Sequence, residues 1–181
     1  MPEHATPLIA TGARRPRRGL ALAGMVLLCL AVGATASLFS IREIPTWYAG
    51  LTKPSFNPPN WVFAPVWTTL YLLMAVAAWL VWQQVPQQAE AWDANPGETR
   101  RSDALRAFWL QLVLNFAWTP VFFRLHQLLA AAMVLVVLWL AIAVTMALFA
   151  RISRVAALLL APYLAWVTFA GVLNLALVHL N

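Results

Sequence analysis

Five stretches of this chain are each long and apolar enough to cross a lipid bilayer, and that pattern constrains the fold more than anything else in it. A spanning helix needs about 20 mostly apolar residues, because each adds about 1.5 Å across about 30 Å of hydrocarbon. The stretches are Gly19–Phe39, Val62–Trp82, Leu105–Phe123, Leu128–Phe149 and Val155–Leu177. They predict an all-α membrane protein, a bundle of five transmembrane helices built from residues 19–181. Composition agrees, since 62% of the 181 residues are hydrophobic and only 10% are charged. A soluble domain carries roughly 25% charge to wet its surface, so the apolar excess here calls for lipid. Residues 1–18, rich in Pro and Arg, read as a basic, disordered tail.

Polar residues inside the runs are few, and lipid offers them no partner. Gln111 and Asn115 in the third run, and Asn174 in the fifth, should therefore point inward. The first connection, Ser40–Asn60, holds Pro45, Trp47, Tyr48, Pro54, Phe56, Pro58 and Pro59. Its prolines forbid a continuous helix and its aromatics are costly to leave in water, so it should fold over one end of the bundle. Gln83–Asp103 is polar and reads as a surface loop. Arg124–Gln127 and Ala150–Arg154 are tight links that make their flanking helices antiparallel neighbours.

Nine of the twelve Lys and Arg residues fall on one side: Arg14, Arg15, Arg17 and Arg18, then Arg100, Arg101 and Arg106, then Arg151 and Arg154. Only Arg42, Lys53 and Arg124 fall on the other. In a bacterial inner membrane this bias puts the N-terminus in the cytoplasm and the C-terminus outside. Basic clusters between apolar runs are topology signals, so the net charge of +6 does not point to nucleic acid. A second reading of the N-terminus stays open on pattern alone. Basic Arg14–Arg18, an apolar run and Ala34-Thr35-Ala36 also fit a cleavable signal peptide.

Helical spacing groups the larger side chains into stripes. Gln111, Asn115, Trp118 and Phe122 share one face of the third run. Trp67, Tyr71, Met74 and Ala78 share one in the second, and Tyr163, Trp166, Ala170 and Leu173 share one in the fifth. Three stripes of large aromatics, small residues and an amide can line a flat, apolar cavity with few polar anchors, the usual make-up of a small-molecule site. Aromatic faces suit a planar macrocycle by offset stacking. Taken singly, many of the ten tryptophans have a plainer explanation. Trp61, Trp82, Trp92 and Trp109 lie near run ends or loops and read as an interfacial belt. Trp79 and Trp139 face lipid or a partner subunit, and Asn115 is equally well a helix–helix hydrogen-bond partner.

Three ordered blocks carry a resemblance. The first is Trp47-Tyr48-Ala49-Gly50-Leu51-Thr52-Lys53-Pro54-Ser55-Phe56-Asn57-Pro58-Pro59 running into Trp61-Val62-Phe63-Ala64-Pro65-Val66-Trp67, then Leu70-Tyr71 and Met74. The second is Gln111 to Phe123, containing Asn115-Phe116-Ala117-Trp118-Thr119-Pro120. The third is Pro162-Tyr163-Leu164-Ala165-Trp166 with Phe169-Ala170 and Leu173-Asn174. Together they resemble the translocator protein family, also called tryptophan-rich sensory proteins or peripheral benzodiazepine receptors, from about residue 20 to the end. The resemblance implies a five-helix bundle, commonly a homodimer, retained from its first helix. It also implies a ligand site for porphyrins such as protoporphyrin and haem and, in some members, for sterols, lipids and benzodiazepine-like drugs. By position it assigns Trp67, Trp118 and Trp166 to the pocket, and Tyr48, Pro58 and Phe63 to its mouth. The candidate ligand-binding set is thus Tyr48, Pro58, Phe63, Trp67, Tyr71, Asn115, Trp118, Phe122, Trp166, Ala170 and Leu173.

Two departures stand out. The C-terminal segment Leu173-Asn174-Leu175-Ala176-Leu177-Val178-His179 lacks the tyrosine of the sterol motif in mammalian members, and such motifs are weak in any case. Ser55-Phe56 stands where some bacterial members have an aromatic pair. No conventional catalytic set appears: all six Asp and Glu, and His4, His126 and His179, lie outside the runs or at their ends. Cys29 is a lone thiol, so no disulfide or thiolate metal site is expected, and no cofactor is required. Some relatives degrade porphyrin under light with two pocket tryptophans, and Trp67 and Trp166 match that candidate photochemical pair. The leading expectation is a membrane porphyrin-binding sensor or regulator in tetrapyrrole and stress physiology. A porphyrin or lipid carrier, or slow light-dependent porphyrin degradation, are the alternatives.

Overall fold

The structure is a computed structural model and describes residues 15–84 and 96–181. The described residues form helices and turns, with no strand among them. Four helices are long and apolar enough to cross a membrane: Arg18–Ser40, Asn60–Trp82, Leu128–Ala150 and Arg154–Leu180. In chain order the elements are α1 (Arg15–Ser40), a short α2 (Trp47–Gly50), α3 (Phe63–Trp82), α4 (Pro96–Thr119), α5 (Leu128–Ala150), α6 (Arg154–Leu159) and α7 (Ala161–Leu180). A single 3-10 turn, Asn60–Val62, leads into α3, and a wide π turn, Pro120–Arg124, ends α4.

Three boundaries differ from the sequence reading. α1 begins at Arg15, about one turn before the apolar run and inside the segment read as a tail, while residues 1–14 lie outside the described residues. α4 begins at Pro96, so 96–103 is helical although its polarity reads as loop. Proline suits the first turn of a helix because its missing N–H has no partner there anyway. Charge marks how far α4 projects from the apolar layer, not where it starts. Asp103 and Arg106 pair across one turn at 3.1 Å on its exposed face. The fifth run is broken at Leu160 into α6 and α7. Pro162 has no N–H for the carbonyl four residues back and crowds it, and Ser153 caps α6 by accepting from the Ala156 N–H at 3.3 Å.

The helices close into a ring: α3 packs on α1, α1 on α4, α4 on α5, α5 on α6 and α7, and α6 back on α3. One end of this ring is solid. Met74, Ala77, Ala78 and Val81 of α3 bury there with Phe108, Phe149 and Ala156, and Phe108 stacks on Phe149 at 6.2 Å. Towards the other end α3 and α7 are bridged by rings, Trp67–Tyr163 at 6.3 Å and Phe63–Trp166 at 5.9 Å. That end is hollow.

Candidate ligand-binding site

The hollow starts above a three-helix hydrogen-bond node. The Tyr71 hydroxyl on α3 donates to Asn115 Oδ1 on α4 at 2.7 Å. Asn115 Nδ2 in turn donates to the Tyr163 hydroxyl on α7 at 3.1 Å. Asn115 and Tyr163 are buried, at 3% and 0% exposure, so each group would be costly to leave unpaired. One turn below, Gln111 Nε2 lies 3.9 Å from Met74 Sδ, and its Oε1 has no partner among the described residues. Gly33 on α1 sets how close the node can sit to the wall. A Cβ there would overlap the Tyr71 ring, whose hydroxyl is tethered and cannot swing clear. Gly33→Ala is therefore expected to displace Tyr71, break its bond to Asn115 and cost about 1–3 kcal/mol. The check is thermal unfolding of the purified variant, and wild-type stability would show that the ring has room to move.

Above the node lies a cavity of about 590 Å³, within the range of small-molecule sites. Three indoles face it from three helices: Trp67 from α3, Trp118 from α4 and Trp166 from α7. Each is held by its neighbours. Trp67 leans on Tyr71 at 5.7 Å, Trp118 stacks on Phe122 at 5.2 Å and Trp166 packs on Phe169 at 5.3 Å. The Trp118 Nε1–H points to Asn174 Oδ1 at 3.4 Å, and Asn174 Nδ2 donates to the Leu128 carbonyl at 2.8 Å. Phe122 reaches the wall because the π turn widens the backbone at Pro120, where the Leu125 N–H bonds the Pro120 carbonyl at 2.9 Å. Such turns recur at functional sites. Among the described residues, no Asp, Glu, Lys, Arg or His side chain lines the cavity. Chemically the site offers flat apolar faces, phenol and amide groups, and no ionised group.

The first loop closes the end, as its aromatics suggest. Tyr48 is 5% exposed and packs against Phe122 and Phe123. Its hydroxyl donates to Asn57 Oδ1 at 2.7 Å, and Lys53 Nζ lies over its ring. Burial pushes the Tyr48 phenol above its ordinary range, against the smaller opposing pull of the Asn57 bond, so it stays protonated and able to donate. Two clasps hold the loop down. Glu43 pairs with His126 Nε2 at 3.1 Å while Trp47 stacks on the His126 ring at 4.2 Å. Opposite, Asn181 Oδ1 accepts from the Thr52 N–H at 2.9 Å and its Nδ2 donates to the Thr52 carbonyl at 3.1 Å. His126 has φ 55°, a left-handed backbone that lets the α4–α5 link turn sharply and present the ring to Glu43.

Of the eleven residues singled out from sequence, Tyr48, Phe63, Trp67, Tyr71, Asn115, Trp118, Phe122, Trp166, Ala170 and Leu173 lie on the cavity wall. Pro58 does not. Its carbonyl accepts from Asn57 Nδ2 at 3.0 Å, so it props the residue that holds Tyr48. Four members of the stripes, Met74, Ala78, Gln111 and Tyr163, are buried off the cavity wall. Trp79 is half-buried, and its Nε1–H donates to the Arg18 carbonyl at 3.0 Å. Trp92 lies outside the described residues. The wall supplied by α1, including Leu30, Gly33, Ala34 and Ser37, was not visible in the sequence, because it has neither aromatic nor polar signature. Asn174 was visible as a buried amide but not as the holder of Trp118.

Known proteins resemble this chain along most of its length. A profile of the TspO/MBR family matches residues 25–180. The chain is 41% identical over 162 residues to the tryptophan-rich protein TspO of Chlorobaculum tepidum, covering 90% of this chain and 96% of that protein. It is 38% identical over 162 residues to the tryptophan-rich protein TspO of Archaeoglobus fulgidus, covering 90% and 97%. To the human translocator protein it is 41% identical over 129 residues, covering 71% and 70%. From the family match across residues 25–180 and the extent of these identities, the chain is a member of the TspO/MBR family of membrane proteins.

Proposed function

We propose that the chain binds a planar tetrapyrrole, a porphyrin or haem, in the aromatic cavity and acts as a membrane sensor of that ligand. The observation that carries this reading is the convergence of Trp67, Trp118 and Trp166 on one uncharged cavity of about 590 Å³. Three indole faces around a flat apolar space favour a conjugated macrocycle over a flexible chain. The hydrogen-bonded node of Tyr71, Asn115 and Tyr163 below it leaves polar valences for a ring edge. Relatives carry the names tryptophan-rich sensory protein, in Cereibacter sphaeroides, and translocator protein. No further cofactor enters this reading, and binding needs only the protein's own side chains.

In the same reading α4 is a fifth crossing. After Arg106 it carries no charge until Arg124, about 26 Å of helix at 1.5 Å per residue. The nine-to-three charge bias supports an N-terminus in the cytoplasm of a bacterial cell, a C-terminus outside and a cavity at the outer end. The assembly is a homodimer, and sterol is a poor ligand. A second reading, light-driven porphyrin degradation, is favoured by Trp67 and Trp166 both facing the cavity.

Titration of purified protein with protoporphyrin, haem and cholesterol tests the proposal. Saturable porphyrin binding in the dark, without flux across proteoliposomes, is the expected result. Ligand-dependent flux would make the protein a carrier instead. Loss of the porphyrin absorption under light, abolished by Trp67→Phe or Trp166→Phe, would make it a degrading enzyme. Preference for cholesterol would overturn the tetrapyrrole assignment.

A further inference from the structure

The cavity is covered at its loop end and open on one side, between α1 and α3. At the loop end lie Tyr48, Phe122 and Phe123, under a loop clasped through Glu43–His126 and Thr52–Asn181. Six lining residues are exposed, and all of them belong to two facing stripes. Ala34 and Ser37 lie on α1 with Ile41 just past its end, and Ala64 and Thr68 lie on α3 with Asn60 in the 3-10 turn before it. The other lining residues are buried or half-buried. Spacings of 3 and 4 put each helical stripe on a single face. The opening is thus lateral, between two helices that close up further along, where Gly33 admits the Tyr71 ring and Trp79 bonds the Arg18 carbonyl.

The chemistry of this gap suits hydrocarbon. The Ser37 hydroxyl donates to the Ala34 carbonyl at 2.7 Å, and that of Thr68 to the Ala64 carbonyl at 2.9 Å. Both hydroxyls are therefore satisfied within their own helices, as lipid-facing polar groups must be. Small residues on membrane helices usually bring two backbones together. Here they stay exposed, and their size leaves a passage. From Asn60 to Thr68 the gap runs about 12 Å along the helix, less than half of a hydrocarbon layer of about 30 Å.

We infer that the α1–α3 gap is the portal through which ligand passes between the bilayer and the cavity. The ligand class that follows is a flat amphiphile that dissolves in the membrane first, with a polar edge near the headgroups, and not a water-borne solute. This rests on the reading of the cavity as a ligand site. The test measures protoporphyrin binding and release by stopped-flow fluorescence in proteoliposomes of neutral phospholipid. One variant is Thr68→Trp. A second, Thr68→Cys, is capped with a bulky maleimide after purification, so that folding precedes the blockage; native Cys29 is fully buried and escapes the reagent.

Association and release should both slow by about tenfold or more in both blocked proteins, because the barrier to passage rises. Glu43→Gln, which loosens the loop, should leave both rates unaltered. Unchanged rates in the blocked proteins would overturn the portal alone, as would faster exchange in Glu43→Gln. Weaker binding without slower release would make Thr68 part of the binding wall and also overturn it. Failure of wild type to bind protoporphyrin would overturn the cavity reading and the portal with it.

Discussion

Alanine in place of Trp67, Trp118 or Trp166 is expected to weaken protoporphyrin binding by roughly 30- to 150-fold each. A stacked aromatic pair contributes about 0.5–1.5 kcal/mol beyond its buried area. Loss of area and a residual void bring the total to about 2–3 kcal/mol at a binding hot spot, and every 1.4 kcal/mol is tenfold. Trp→Phe keeps a ring and should cost less, so a triple phenylalanine variant should still bind, more weakly. Trp139→Ala is the control. Its indole donates to Thr168 Oγ1 at 2.9 Å, and α5 supplies no residue to the cavity wall. Equilibrium titration of folded variants decides the matter. If the three alanine variants bind like wild type, the indoles only pack and the pocket assignment fails.

Asn115→Ala should behave differently, losing stability before it loses selectivity. Both ends of the amide are already engaged, by Tyr71 and Tyr163. Removing it leaves two buried phenols without their partner, each costing about 1–3 kcal/mol if nothing replaces the bond. In a membrane bundle a replacement partner is often found, and single bonds there are worth about 0.6 kcal/mol on average. A total loss of about 2–4 kcal/mol is therefore expected, seen as a clear fall in the thermal midpoint in detergent. Tyr71→Phe and Tyr163→Phe should each cost less, and combining them with Asn115→Ala should be far from additive. A variant with wild-type stability and no porphyrin affinity would show that Asn115 serves the ligand and not the fold.

How well the chain could be read varied with the physics of each segment. The limits of α3 and α5 were legible to within a residue or two, because apolar runs end where polar residues begin. The start of α4 was not, since hydropathy reports the lipid layer and a helix can continue beyond it. Pro162 was visible, yet the position of the break at Leu160 depends on which carbonyl loses its partner. Aromatic and amide stripes marked the walls supplied by α3, α4 and α7. The α1 wall escaped because its contribution is absence of bulk, at Gly33, Ala34 and Ser37. Pro58 was drawn to the mouth by resemblance, whereas it acts one residue away through Asn57.

The interruption at Leu160 has a mechanical consequence. α6 packs on α3 and α5, while α7, which carries the indole of Trp166, packs on α5 beyond the residue where the helix is discontinuous. If α7 pivots on α5 about that joint, a bulkier guest is housed with the solid end undisturbed. Spin labels placed across the bundle should separate only at the hollow end as guests of increasing width are added. The size range that the protein tolerates would in that case be set by the stiffness of one proline-flanked hinge and not by the volume of the resting cavity.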